Sequence, residues 1–144
     1  MAWPIAGTAV SVPDSPSTQH FIRPEGSPPV NGYSHAVAFS GPMVVVSGQL
    51  PVDAQGRLVG QDDPAAQITQ VFENLGTALA AAGATMEHVV KLTVFLTDLG
   101  DLAEFRRIRD QYLSPQRPPA SSVIQVSALL NPAFRVEIEA LAAT

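Results

Sequence analysis

The strongest structural signal in the sequence is Val44-Val45-Val46-Ser47-Gly48-Gln49-Leu50-Pro51. Its run of β-branched residues predicts a buried strand, because such side chains pack well on a pleated sheet. The strand ends at Gly48, which tolerates backbone angles that other residues avoid and leaves its N–H open to close approach. The segment therefore predicts a strand whose end presents a bare glycine to a ligand.

Length and composition narrow the class of protein. The chain has 144 residues, is 46% hydrophobic and carries a formal net charge of −5 at pH 7. These values fit one domain with a substantial core. They disfavour a nucleic-acid partner, because non-specific affinity for nucleic acid comes mostly from Lys and Arg. No apolar run approaches the roughly 18 residues of a membrane span, so we expect no membrane partner.

The N-terminal segment and the cysteine count lead to two further expectations. Six of the 13 prolines fall within residues 1–30, and proline resists both helices and central strands. We therefore predict a Pro-rich arm over residues 1–30, either packed on a neighbouring subunit or a partly ordered tail, and a folded domain over residues 31–144. The N-terminus has no basic region, and Pro4 interrupts the only apolar stretch there, which argues against a signal peptide. The absence of cysteine suits a cytoplasmic location.

Turn signals around the valine run predict a hairpin. Ser40-Gly41-Pro42 separates the predicted strands 33–39 and 43–48. A second turn is predicted at Asp53-Ala54-Gln55-Gly56, followed by a short strand over residues 57–59.

A helix follows with clear punctuation at both ends. Asp62 or Asp63 can cap it, Pro64 suits its first turn and Gly83 suits its exit. The helix carries one apolar stripe at helical spacing, formed by Ile68, Val71, Phe72, Leu75 and Leu79.

The second half of the chain predicts strand, helix and two strands. Residues 89–96 are rich in β-branched side chains and predict a central strand. Asp101-x-x-Glu104 resembles a capping box that starts a second helix. Strands are predicted over residues 122–126 and 135–141. The inner stripe of the second helix is Leu102, Phe105, Ile108 and Tyr112. This order of elements predicts an α+β domain, with one mixed or antiparallel sheet and two helices on one face.

Three segments then occur in a specific order: Ser47-Gly48-Gln49-Leu50-Pro51, Pro119-Ala120-Ser121-Ser122 and Val136-Glu137-Ile138-Glu139. With Asn74-Leu75 and the strand over residues 89–96, they resemble the RidA/YjgF family of reactive-intermediate deaminases over about residues 30–142. The resemblance implies a chorismate-mutase-like α+β fold and a homotrimer with a small-molecule cleft at each subunit interface. It also implies hydrolysis of an enamine or imine to a 2-oxo acid and ammonia, with no cofactor.

Three residues match functional positions of the family. Gly48 matches the strand-end glycine that lies against the ligand, and Tyr33 matches an aromatic residue that reaches the cleft. Glu137 matches the strand carboxylate that handles the water or the proton. Glu137 and Glu139 share one strand face. The pair could perform acid–base chemistry or form a solvated face that Arg135 helps to neutralise.

Three other positions depart from the family. Ser121 stands where the family has the key arginine of its Pro-Ala-Arg-Ser motif. Arg106 replaces an asparagine of the second helix, and Val123 stands where Cys or Thr is frequent. A guanidinium holds a carboxylate by two parallel hydrogen bonds, and a serine hydroxyl cannot. The loss should weaken binding of 2-imino acids by about tenfold or more per hydrogen bond.

The chain's basic cluster offers a replacement for the missing arginine. Arg106, Arg107 and Arg109 follow one another in the second helix, and Arg106 and Arg109 share a helix side. One of them, Arg106 before Arg109, could reach the cleft and bind an anionic group. The alternative is a solvated helix face paired with Glu104 or Asp110. A ribonuclease activity would also need a basic patch, for which three arginines on an acidic protein are weak support.

Other reactive side chains give weaker signals. His20, His35 and His88 have none of the spacings typical of metal ligands, so no metal site is predicted. His35 could approach the cleft from the strand face of Tyr33. Lys91 could form a Schiff base, but within a strand it is expected to snorkel or pair with an acid. No Ser–His–Asp triad is visible.

The leading hypothesis is therefore hydrolytic deamination, or a related hydrolysis or tautomerisation, of a small enamine or imine. Two alternatives stay open because of Ser121. One is a non-catalytic ligand-binding or regulatory trimer, and the other is a specialised pathway enzyme acting on a substrate without a carboxylate.

Overall fold

The structure is a computed structural model that describes residues 18–144 of the chain. The described elements are β1 (Thr18–Phe21), β2 (Ala36–Phe39), β3 (Met43–Gln49), α1 (Pro64–Ala81), β4 (Val89–Leu96), α2 (Leu102–Tyr112), β5 (Ala120–Gln125) and β6 (Val136–Ala143). Residues 1–17 of the predicted N-terminal arm lie outside the described residues, and the remainder of that segment contains β1. Neither α1 nor α2 is long and apolar enough to cross a membrane.

The main sheet is mixed, and helices cover one of its faces. Its strand order is β3-β6-β4-β5, with β5 parallel to β4 and the other neighbours antiparallel. Alternate residues of β4 and β6 are buried against α1 and α2: Leu92, Val94, Leu96, Val136, Ile138, Ala140 and Ala142. The predicted α+β class with two helices on one face of a mixed sheet is therefore confirmed.

The predicted start and end of the first helix are confirmed. The Asp63 side chain accepts a hydrogen bond of 3.1 Å from the Ala66 N–H, and Pro64 begins the helix. Gly83 follows the exit with φ of 75°, a conformation that favours glycine. The five residues of the predicted apolar stripe are each at most 1% exposed.

The predicted hairpin is wrong. β3 pairs with β6, and β2 pairs with β1 in a separate two-stranded sheet. Pairing with β6 lets β3 bury Val46 against the core, whereas three of the four residues of β2 are exposed. The strand predicted over residues 33–39 also begins only at Ala36.

The predicted turn at residues 53–56 is present, but the strand after it is not. The Asp53 carboxylate accepts hydrogen bonds of 2.9 Å from the backbone N–H groups of Gln55 and Arg57. Beyond the turn, only one isolated bridge forms, between Val52 and Leu58. The local loop satisfies the backbone groups, so residues 57–59 do not extend into a ladder.

The start of the second helix also differs from the prediction. Asp101 makes no side-chain capping bond. Its carboxylate instead accepts two hydrogen bonds from Arg135, 2.8 Å from Nε and 3.0 Å from Nη2. Asp101 is buried, and the two charge-assisted hydrogen bonds from Arg135 occupy both of its carboxylate oxygens in place of a local cap. Arg135 is consequently engaged at the helix end and does not neutralise Glu137 or Glu139.

Candidate functional site

A cleft lies between α2 and β5, which is the edge strand of the main sheet. Its volume is about 260 Å³. The residues that line this β5–α2 cleft are Asn31, Tyr33, Leu102, Phe105, Arg106, Arg109, Ser121 and Val123. Four of the predicted site residues therefore meet in one place: Tyr33, Arg106, Ser121 and Val123.

The alternation of β5 explains why Ser121 and Val123 face α2. Ser122 between them points to the opposite side of the sheet, where its hydroxyl accepts a 2.7 Å hydrogen bond from Lys91 Nζ. Of the two expectations for Lys91, pairing with an acid is wrong, because its Nζ donates to this hydroxyl and makes no ion pair within residues 18–144. The serine at position 121 leaves a short hydroxyl where a guanidinium would fill the cleft.

Arg106 is the basic side chain of the cleft that is free to bind an anion. Within residues 18–144 it makes no hydrogen bond or ion pair, and it lies on the same side of α2 as Arg109. Arg107 points away and pairs with Glu104 at 2.7 Å. Arg109 is only 5% exposed, and its guanidinium is occupied by Asn31 and Asp110.

Tyr33 reaches the cleft from a loop rather than from a strand. The next residue, Ser34, fixes the loop to the start of β5, because its N–H donates to Pro119 O at 2.9 Å and its hydroxyl donates to Pro118 O. His35 lies against the Tyr33 ring, with 5.7 Å between ring centroids, and its Nε2 contacts Pro28 O at 2.9 Å. His35 is therefore tied to residue 28 and does not line the cleft.

Gly48 and Glu137 form a second part of the candidate site. The β3–β6 register shifts between Val46 and Gln49, so Gly48 lies in an irregular part of the ladder. A Cβ on Gly48 would overlap Glu137 Oε1 and would lie 2.9 Å from its Cδ. The Glu137 carboxylate makes no hydrogen bond or ion pair to any residue in the described range.

The two parts lie on opposite faces of the sheet. Glu137 alternates with the buried Val136 and Ile138, so it points away from the helices, whereas the β5–α2 cleft is on the helix side. In the register, Glu137 is opposite Phe95 of β4, and Phe95 is opposite Ile124 of β5. Two strand spacings, roughly 10 Å, therefore separate the strands that carry the two parts. A single chain does not bring Glu137 to Ser121.

The sheet face that carries Glu137, which we call the open face, exposes apolar side chains. Val45 is 70% exposed and Met43 is 52% exposed. A depression of about 290 Å³ on this face is lined by Val45, Val46, Lys91, Thr93, Glu139, Ala140 and Leu141. Exposed apolar side chains beside polar ones, as in this depression, are a feature of interaction sites on folded domains.

The sequence analysis did not identify Asn31, which accepts two hydrogen bonds from Arg109. It considered Arg109 only as a second choice after Arg106 for binding an anion. The residue pattern gave no sign that Arg109 is buried. Among residues 18–144, no group of three or more His, Cys, Asp or Glu side chains is placed to hold a metal ion.

Comparisons with known proteins agree with this architecture. A family model described as endoribonuclease L-PSP matches residues 25–144. Protein DfrA of Myxococcus xanthus is 43% identical over 114 residues, which cover 78% of this chain and 86% of that protein. The 2-iminobutanoate/2-iminopropanoate deaminase of Salmonella typhimurium is 36% identical over 104 residues, which cover 71% of this chain and 80% of the deaminase.

A solved structure extends the similarity to the fold. YyfB of Yersinia pestis, described as a protein of unknown function of the conserved Rid family, superimposes with a TM-score of 0.80. It is 34% identical in sequence, and the match covers 88% of this chain and 98% of YyfB. The matched length, the identities and the shared fold together show that this chain belongs to the RidA/YjgF family.

Proposed function

We propose that this protein hydrolyses a small enamine or imine at a composite site. In this proposal the β5–α2 cleft of one copy receives the substrate, and Glu137 of a neighbouring copy supplies the catalytic carboxylate. The observation that carries the proposal is the unpaired Glu137 carboxylate held beside Gly48. The 2-iminobutanoate/2-iminopropanoate deaminase among the relatives supports the reaction class.

The composite site follows from the separation of its two parts. A single chain places Glu137 and Ser121 on opposite faces, so a second copy is needed to bring them together. The apolar open face, with Val45 70% exposed, is suited to bury surface against such a copy. A homotrimer, the assembly implied by the family resemblance, would repeat this contact around a closed ring.

The proposed chemistry needs only water and a carboxylate, and it invokes no cofactor. Glu137 takes a proton from a water molecule, and the water oxygen forms a bond to the iminium carbon. The nitrogen of the resulting amino alcohol takes that proton back from Glu137, and it leaves as ammonia as the carbon–nitrogen bond breaks. The hydroxyl oxygen forms the carbonyl and gives its own proton to the Glu137 carboxylate, from which the proton passes to water or to the ammonia. The carbonyl product is a 2-oxo acid when the substrate is a 2-imino acid. The Gly48 backbone lies next to the carboxylate and would contact the ligand.

Arg106 is the proposed anchor for an anionic group of the substrate. Its guanidinium lines the same cleft as Ser121 and has no partner within residues 18–144. A carboxylate could therefore bind it without displacing an existing ion pair. Tyr33 would form one wall of the cleft, and Val123 with Leu102 and Phe105 would form its apolar floor.

A second candidate function is ligand binding without catalysis, or action on a substrate that lacks a carboxylate. Ser121 favours it, because this side chain cannot form the bidentate contact that a 2-imino acid would receive from arginine. A nuclease function is disfavoured because two of the three clustered arginines are not available to bind phosphate. Arg107 is paired with Glu104 and Arg109 is buried, so Arg106 alone of the three is left for a phosphate backbone.

The test is imine hydrolysis in competition with semicarbazide. An amino-acid oxidase generates 2-imino acids from alanine, leucine and phenylalanine, and the purified protein competes with semicarbazide for them. We expect the wild type to lower semicarbazone formation and Glu137→Gln to abolish that effect. Glu139→Gln is the matched control, because it removes a carboxylate from the same strand and face two residues away.

The outcomes separate the candidates. Loss of activity in Glu137→Gln but not in Glu139→Gln supports the deaminase. An inactive wild type that gains activity in Ser121→Arg would contradict it and favour a cleft tuned to another ligand. Equal loss in the two glutamate variants would contradict the assignment of Glu137 as the catalytic carboxylate.

A further inference from the structure

We propose that Arg109 is a positioning residue that fixes Tyr33 in the β5–α2 cleft. The inference rests on the proposed function only in taking this cleft as the substrate site. Tyr33 would be the side chain in contact with substrate, and Arg109 would act through the loop that carries it.

The Arg109 guanidinium clamps the residue two positions before Tyr33. Its Nη1 donates to Asn31 O at 3.0 Å, and its Nη2 donates to Asn31 Oδ1 at 3.1 Å. On the other side, Nε donates to Asp110 Oδ1 at 3.0 Å. Backbone and side chain of Asn31 are thus held together by a rigid fork, which a flexible single donor could not do.

The residue between the clamp and Tyr33 is shaped to admit the guanidinium. Gly32 has φ of 68°, a conformation that favours glycine. A Cβ at this position would overlap Nη2 and Cζ of Arg109 and would lie 3.0 Å from Nε. The guanidinium therefore lies against the backbone immediately before Tyr33, in a space that any larger residue would fill.

Arg109 is held from the helix side as firmly as it holds the loop. It is 5% exposed, and its Cζ lies 5.8 Å from the centroid of the Phe105 ring. Burying a guanidinium is costly unless its hydrogen bonds are satisfied, and Asn31 and Asp110 satisfy them here. The helix thus presents a rigid point to which residues 31–32 are attached.

The Ser34 hydrogen bonds to Pro118 and Pro119 hold the backbone after Tyr33, and the Arg109 clamp on Asn31 holds the backbone before it. The Tyr33 hydroxyl makes no hydrogen bond to any residue in the described range, and its one ring contact there is the edge contact with His35. Arg109 and Tyr33 also line a second cavity, of about 340 Å³, next to the β5–α2 cleft. Without the clamp, the ring would have room to leave the β5–α2 cleft for this cavity.

The sequence offers a direct reporter, because Tyr33 and Tyr112 are its only tyrosines. Protein labelled with 3-fluorotyrosine should give two fluorine resonances, which Tyr33→Phe assigns. Tyr112 is an internal reference, since its ring stacks on Phe72 at 4.9 Å and its hydroxyl donates to Glu73. We expect Arg109→Gln to shift or broaden the Tyr33 resonance and to leave that of Tyr112 in place.

The matched control is Arg107→Gln, the same substitution on the exposed side of the same helix. It should move neither resonance. In the semicarbazide competition assay, Arg109→Gln should raise KM about tenfold with kcat within about twofold of wild type, because substrate contact is lost and the chemical step is kept. Gly32→Ala should reproduce both effects, since its Cβ meets the guanidinium and alanine is also strained at this positive φ.

An unmoved Tyr33 resonance in folded Arg109→Gln overturns the proposal, and so does movement of both resonances together, which would indicate general loosening. If Arg109→Gln does not fold, Asn31→Ala replaces it, because it removes one acceptor from an exposed residue. The Tyr33 resonance must then move in Asn31→Ala, or the proposal fails. If the wild type hydrolyses no imine while Tyr33 still responds to Arg109→Gln, the proposed function has failed and the positioning role has not.

Discussion

The carboxylate of Glu137 occupies the space beside Gly48 where any other residue would place its Cβ. The atoms that a Cβ would meet belong to the end of the flexible Glu137 side chain. An alanine at position 48 would therefore move the carboxylate and leave the backbone of the two strands in place. The position of the proposed catalytic group is therefore set by the absence of a side chain on the neighbouring strand.

We predict that Gly48→Ala lowers kcat/KM for imine hydrolysis by about tenfold or more, because the carboxylate is moved from its place. The free energy of unfolding should change by less than about 1 kcal/mol, since Gly48 has no positive φ and the clash is with a movable group. Urea unfolding and the competition assay measure the two effects. Gly76→Ala is the control: a Cβ there meets nothing within 4 Å, so it should stabilise the helix by about 0.5–1 kcal/mol without loss of activity.

Arg106→Ala should raise KM for 2-imino acids by about tenfold, because a charge-assisted hydrogen bond contributes roughly 1.5–3 kcal/mol. Arg107→Ala is the comparison, since that guanidinium is exposed and paired with Glu104. Steady-state kinetics with several 2-imino acids measures the change. An unchanged KM in Arg106→Ala would remove this residue from the proposed site.

Gln67→Leu should destabilise the protein by roughly 3 kcal/mol. Gln67 is fully buried, and its amide donates to the carbonyls of Gly60 and Ala133 at 2.9 Å and accepts the Arg135 N–H at 2.8 Å. Leucine fills a similar volume but leaves three backbone groups without partners, at about 1–3 kcal/mol each, partly offset by its apolar contacts. Urea unfolding at neutral pH gives the value. Gln111→Leu on the exposed side of α2 should change stability by less than 0.5 kcal/mol.

Burial, together with the hydrogen bond to Glu73 and its negative charge, raises the pKa of Tyr112 from 10.0 to about 12. Between these values the unfolded chain has lost the phenolic proton and the native chain keeps it, so the native state binds more protons. Stability contributed by this group is therefore complete below pH 10 and is lost as pH rises towards 12. Tyr112→Phe should show a smaller fall in unfolding free energy over this range. Phenolate absorbance in Tyr33→Phe follows Tyr112 alone, and ionisation near pH 10 in folded protein would contradict the prediction.

The local patterns of the sequence were sufficient for the helices and the central strands. Asp63, Pro64 and Gly83 determine the ends of α1 through contacts and backbone angles within one helical turn. An apolar stripe at 3.6-residue spacing lies on one side of a helix, so that side must face the core. The predicted capping role of Asp101 was wrong, because its carboxylate binds Arg135, which lies 34 residues away in the sequence. No local sequence pattern indicates that a distant arginine will replace the cap.

The sequence by itself determined the fold class, the ends of α1 and, by resemblance, the family and its candidate site residues. Only the tertiary structure decided that β2 pairs with β1, that Arg109 is buried under Gly32, and that Glu137 and Ser121 lie on opposite faces. The physical reason is that periodicity and caps are properties of neighbouring residues, whereas strand partners and buried contacts depend on which distant segments compete for the same surface. The face of a strand is likewise fixed only once its register with other strands is chosen.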